Sequence, residues 1–125
     1  MPSAESGLEA YVDVGAAAEL LMEQPWARVV NGRRVLVCRT EEGVFVLADL
    51  CPHAHQPLSG GAVANGTIRC PRHGACFDIA TGQPTNTVTN QPVVTYPSRV
   101  RGGRVEVSVP PLRAGFMPDF RMGGR

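Results

Sequence analysis

Two short loops restrict this chain more than any other feature. Residues 51–61, CPHAHQPLSGG, set a cysteine and two histidines within five positions. The stretch is too rich in proline and glycine for a helix. Residues 70–74, CPRHG, repeat that chemistry in nearly the same order. The pattern reads Cys51-x-His53, sixteen intervening residues, then Cys70-x-x-His73. A lone Cys-x-x-His means little, but two such pairs, each inside a Pro- and Gly-rich loop, point to a metal centre. Thiolate and imidazole suit iron and zinc alike. A zinc finger usually takes two cysteines from one knuckle and two histidines from another, around one tetrahedral ion. Here each loop contributes one of each type, so a two-metal centre can hold both cysteines on one metal and both histidines on the other. His55, in Cys51-x-x-x-His55, is a further donor on spacing alone.

The rest of the chain reads as short strands. At 125 residues it is long enough for one domain. Its 14 glycines and 11 prolines favour turns over long helices. LEAYVDV (8–14) alternates with a period of two. GAAAELLMEQP (15–25) is the one helical stretch, ended by Pro25 after about two turns. WARVV and RRVLVCRT flank Asn31-Gly32, a hairpin signal, and GVFVLAD (43–49) follows as a third strand leading into Cys51. Between the loops come Asn65-Gly66 and a short strand, TIRC (67–70). PVVTYPS (92–98) and RVEVSV (104–109) close the pattern around Gly102-Gly103, and Pro110-Pro111 stops it. The expectation is an all-β fold: an antiparallel β-barrel or sandwich with a two-loop insertion, one short helix near the N-terminus, a domain over 1–111 and a tail over 112–125. Cys38, inside an apolar strand, reads as a buried small hydrophobe and Cys76 as a free thiol.

Charge excludes some roles. A net charge of +1 argues against a nucleic-acid binder that works by phosphate neutralisation, and aromatics are scarce. Residues 1–50 hold eight acids and four arginines, whereas residues 51–125 hold three acids and eight arginines. The N-terminus shows no export signal, and no apolar run approaches the roughly 18 residues of a membrane span. A cytoplasmic, reducing compartment follows as the expectation, in which four cysteines mean metal binding rather than disulfides.

CPHAHQPLSGG…CPRHGACFDIATG resembles the cluster-binding signature of the Rieske proteins. Their 2Fe–2S centre has two cysteines on one iron and two histidines on the other. The resemblance spans roughly residues 8 to 109. It implies that Cys51 and Cys70 hold the inner iron, and that His53 and His73 hold the outer one with their far edges at the tip. On family spacing His53 is preferred over His55. Phe77, Asp78, Thr81 and Gly82 match the family's second-loop pattern, and Leu58 and Pro71 are candidates for apolar shielding by their place in the loops.

Departures from the respiratory members matter as well. Where those carry a disulfide between the loops, this chain has Gln56 and Arg72; where they carry a serine and a tyrosine donating to cluster sulfur, it has Ala75 and Phe77. Fewer donors imply a potential near the low end of a range of roughly −150 to +300 mV. After His73 there is no further histidine for the mononuclear iron of an oxygenase catalytic subunit. The resemblance therefore implies a soluble Rieske ferredoxin, a monomeric one-electron carrier rather than an enzyme. Its expected partners are an NAD(P)H-dependent ferredoxin reductase and a terminal oxygenase acting on an aromatic or related compound, with no nucleic acid and no membrane. The alternative is a small Rieske subunit of a stable oxidoreductase, such as a nitrite-reductase-like enzyme, and behind it an iron–sulfur or zinc redox sensor.

Overall fold

The computed structural model describes residues 10–52 and 56–111. Ten short strands, all paired antiparallel, form three sheets: β1-β10-β9, β2-β3-β4-β8 and β5-β6-β7. They are β1 (Val12–Ala16), β2 (Trp26–Val30), β3 (Arg33–Thr40), β4 (Gly43–Ala48), β5 (Val63–Ala64), β6 (Thr67–Arg69), β7 (Cys76–Asp78), β8 (Thr95–Tyr96), β9 (Ser98–Arg101) and β10 (Arg104–Val107).

The centre of β3 is buried on both faces, which explains the unbroken apolar run Val35–Cys38 in place of an alternating one. Val35, Val37 and Val46 face a first core with Leu20, Val30, Val105, Val107 and Val109. Leu36, Cys38 and Leu47 face a second core with Leu58, Ile68, Phe77, Ile79 and Val93, and Cys51 and Cys70 belong to it. The third sheet thus packs on the far face of β3–β4, and Cys51, which follows β4, and Cys70, which follows β6, share that interior.

The 15–25 segment contains only a 3-10 turn, Ala17–Glu19. The Arg39 guanidinium takes the carbonyls of Ala17 and Leu20, each at 2.6 Å, acceptors that a continuing helix would have used for its own N–H groups. The strand expected over 8–14 begins at Val12 and runs on through a bulge to Ala16, and residues 8 and 9 lie outside the described residues. The strand expected over 92–98 is two: β8 pairs with β4, and past Pro97 the chain changes sheet and continues as β9 beside β10. The 112–125 tail lies outside the described residues. Among the described residues no helix is long and apolar enough to cross a membrane.

Candidate metal centre

Both loops close by the same device. The Cys51 N–H donates to the Gln56 carbonyl at 2.7 Å, and the Cys70 N–H donates to the Ala75 carbonyl, also at 2.7 Å. Each cysteine therefore heads a six-residue knuckle whose first N–H is taken by its last carbonyl. The hairpin β5–β6, turned at Asn65-Gly66 with positive φ at both residues, sets the knuckles side by side. The pairing of that hairpin extends one step further, where the Arg69 N–H donates to the Ala62 carbonyl at 2.9 Å.

The second knuckle is clamped from outside by Asn86. Its Nδ2 donates to the Gly74 carbonyl at 2.9 Å, and its Oδ1 accepts the Cys76 N–H at 3.3 Å. Nothing in the local pattern marks Asn86, because its partners lie ten and twelve residues back. Asp78 and Thr81, which match the family pattern, fix the turn after β7: the Asp78 carboxylate accepts the Thr81 N–H at 3.1 Å and its hydroxyl at 2.8 Å.

Cys51 and Cys70 are both buried, with Leu58, Ala75 and Phe77 in the same core. Their side chains meet. Burial pushes the Cys70 thiol up, but the Arg72 N–H, the Cys51 side chain, the His73 N–H and the Arg72 charge together outweigh it, and the net shift is downward. A buried sulfur surrounded by backbone donors suits a metal-bound thiolate, so the residues present fit a 2Fe–2S centre. Cys38 gives the contrast. Burial and the neighbouring Asp49 charge push its thiol up to about 12, that of an inert core residue.

His73 is exposed on the second knuckle, as are Pro71 and Arg72. His53 and His55 lie outside the described residues, so the choice between them rests on spacing. Leu58 is wholly buried in the core that holds both cysteines, whereas Pro71 is exposed. Cys76 is a half-buried free thiol directed at the Gly74 carbonyl. Among the described residues no three His, Cys, Asp or Glu side chains converge on a single point. A groove of about 310 Å³ lined by Glu23, Arg39, Glu42, Asn65 and Asp78 lies at the turn end of the β5–β6 hairpin and includes none of the expected ligands.

Residues 10–97 match the Rieske [2Fe-2S] domain. The anthranilate 1,2-dioxygenase ferredoxin subunit of Burkholderia cepacia is 38% identical over 105 residues, covering 84% of this chain and 97% of that one. The solved ferredoxin of carbazole 1,9a-dioxygenase from Nocardioides aromaticivorans IC177 superposes with a TM-score of 0.75 at 33% identity, over 79% of this chain and 97% of that one. A ferredoxin solved in complex with the reduced oxygenase of carbazole 1,9a-dioxygenase gives a TM-score of 0.73 at 26% identity, over 78% of this chain and all 100% of that one.

Proposed function

We propose, from the premise that the chain belongs to the Rieske [2Fe-2S] domain family, that it carries single electrons from a reductase to a terminal oxygenase of an aromatic-ring or related system. The observation that carries this reading is the meeting of two buried cysteines from matched knuckles, with His73 exposed on one of them. Cys51 and Cys70 would hold the inner iron; His53 and His73 would hold the outer one. When bound, such a cluster takes up and releases one electron. The Arg72 and His73 N–H groups stabilise charge at the Cys70 sulfur, Leu58, Ala75 and Phe77 keep water from the inner side, and the exposed His73 edge offers the way in and out.

The names of the relatives support a multicomponent dioxygenase as the setting, with a terminal oxygenase downstream; an NAD(P)H-dependent reductase upstream and a cytoplasmic location complete the proposed reading. Reductive titration of the holoprotein tests the carrier role. One electron per chain, passed on to an aromatic-ring oxygenase with the carrier itself unchanged, is the expected result. A cluster that never reduces, or product formed without an oxygenase, contradicts it.

Exchange of partners each cycle calls for a small docking face, below about 1,200 Å² in total. Centred on the histidine edges, its rim includes Arg72 and Arg69, both exposed and neither bridged to a carboxylate among the described residues. Such a rim suits an acidic partner face. Arg69→Glu and Arg72→Glu are each expected to slow association severalfold at low salt and to weaken its salt dependence. The Arg72 charge is felt at Cys70, so that variant is compared at matched driving force. Unchanged rates with both partners would remove the arginines from the interface.

Ala75 and Phe77 are fully buried beside the cysteines and carry no hydroxyl. Ala75→Ser and Phe77→Tyr are expected to raise the potential by roughly 40 to 85 mV each, if each hydroxyl favours the reduced cluster by about 1–2 kcal/mol. Voltammetry reads the shift. A hydroxyl that misses sulfur would stay unpaired and lower stability by about 1–3 kcal/mol instead. Unmoved potentials in both variants would mean that donor count does not set this cluster's potential.

A further inference from the structure

We infer that Asp49 is a positioning residue for the first knuckle, and that its charge, partly offset by Arg34, holds the cluster's reduction potential down. Asp49 follows β4 and stands two residues before Cys51. Its side chain is 1% exposed. One oxygen, Oδ1, accepts the Ser59 N–H at 2.8 Å and so ties together the ends of the segment that carries Cys51 and His53. The Asp49 N–H in turn donates to the Arg34 carbonyl at 3.0 Å, which fixes this tie to β3.

The other oxygen, Oδ2, is buried and accepts no hydrogen bond from the described residues. Among the described residues it is paired with the Arg34 guanidinium at 3.5 Å, reaching in from a side chain that is 63% exposed. Retaining a half-satisfied buried carboxylate is unfavourable, because the desolvation of each unpaired oxygen is not recovered. A neutral asparagine can also accept the Ser59 N–H, though less strongly than a carboxylate, so the tie alone does not require a charge here. The charge does have an electrostatic consequence. A fixed negative group behind the cysteine side opposes the arrival of an electron, and an exposed counter-charge only partly offsets it. The field already reaches one neighbouring sulfur, since the Asp49 charge helps to push the Cys38 thiol up.

This inference rests on the cluster reading, so the parent protein must first be shown to hold a reducible 2Fe–2S centre; failure there overturns the cluster reading itself. In holoprotein with intact visible and EPR spectra, Asp49→Asn keeps the Ser59 acceptor and removes the charge. Its potential is expected to rise, by at least a threefold change in the one-electron equilibrium, about 28 mV. Arg34→Gln, at an exposed site, removes the counter-charge and is expected to move the potential in the opposite direction. In the Asp49→Asn background the Arg34 substitution should still lower the potential, because the two charges act on the cluster additively. Asp49→Ala, which also cuts the tie to Ser59, should lose its cluster faster than Asp49→Asn. A purely structural role has no reason to produce shifts of opposite sign. If both single variants keep the cluster and their potentials stay put or move together, the charge pair is not a tuning device. If Asp49→Asn does not assemble, Arg34→Gln alone decides: a lowered potential supports the pair, and an unchanged one overturns it.

Discussion

Replacing Cys51 or Cys70 by serine is expected to abolish cluster assembly and to leave a protein without visible absorption. Both sulfurs lie in the second core, and the Cys70 sulfur already attracts the backbone donors of the second knuckle. A serine hydroxyl gives no thiolate at neutral pH and is a poor ligand for an iron–sulfur centre. Metal binding couples to folding, so the loss should extend beyond the cluster to the knuckles themselves, read as a fall in melting temperature and faster amide exchange around residues 56–61 and 70–76. Cys38→Ser is the control. Cys38 is just as buried, in the same core, but its thiol is pushed up to about 12 and it has no part in the knuckles. There the substitution should lower stability by about 1–3 kcal/mol, the effect of a buried hydroxyl, with the cluster still assembled. Loss of the cluster in Cys38→Ser, or its retention in Cys70→Ser, would contradict the assignment.

A second large effect is expected at Gly61. A Cβ there would lie 2.0 Å from the Arg69 carbonyl oxygen and 3.0 Å from the Leu58 carbonyl oxygen, both backbone atoms of the framework that supports the first knuckle. Neither can yield without moving β6 or the knuckle. Gly61→Ala should therefore destabilise by about 3 kcal/mol or more, with a fall in melting temperature of roughly 12–24 °C for a domain of this size. Its neighbour separates the causes. Gly60 has φ +91° and nothing within 4 Å of an added Cβ, so Gly60→Ala meets backbone strain but no clash. A loss of only about 1–2 kcal/mol is expected there. Thermal denaturation of the two holoproteins compares them directly; equal losses would mean that the Gly61 contact with Arg69 is not what holds the knuckle in place.

The pair Gly60-Gly61 also shows where sequence reading stops. Two adjacent glycines look alike as letters, yet one serves a turn and the other a close backbone approach. Local signals were legible. Trp26–Val30 and Arg33–Thr40 fall where the apolar runs and the Asn31-Gly32 turn predict them, because hairpin pairing is decided by neighbouring residues. The cysteine–histidine spacing likewise marked two similar loops, and these close by the same hydrogen bond. What escaped is non-local. The segment after Gly15 makes only a 3-10 turn, and its Leu20 and Ala17 carbonyls accept from Arg39, nineteen and twenty-two residues away. Pro97 moves the chain between sheets, so one apolar run became two strands. Asp49 and Asn86 read as ordinary polar residues until the fold sets Ser59 and Gly74 against them.

The central claim, a cluster held by two cysteines within and two histidines at the tip, is tested most directly by pulsed EPR of the one-electron-reduced holoprotein. Couplings from two inequivalent imidazole nitrogens on the reduced iron are expected. One of them should vanish in any His73 variant that keeps its iron, and His55→Ala should leave both in place. A spectrum with no nitrogen coupling, or one in which His55→Ala removes a coupling that His53→Ala leaves intact, would contradict that ligand set.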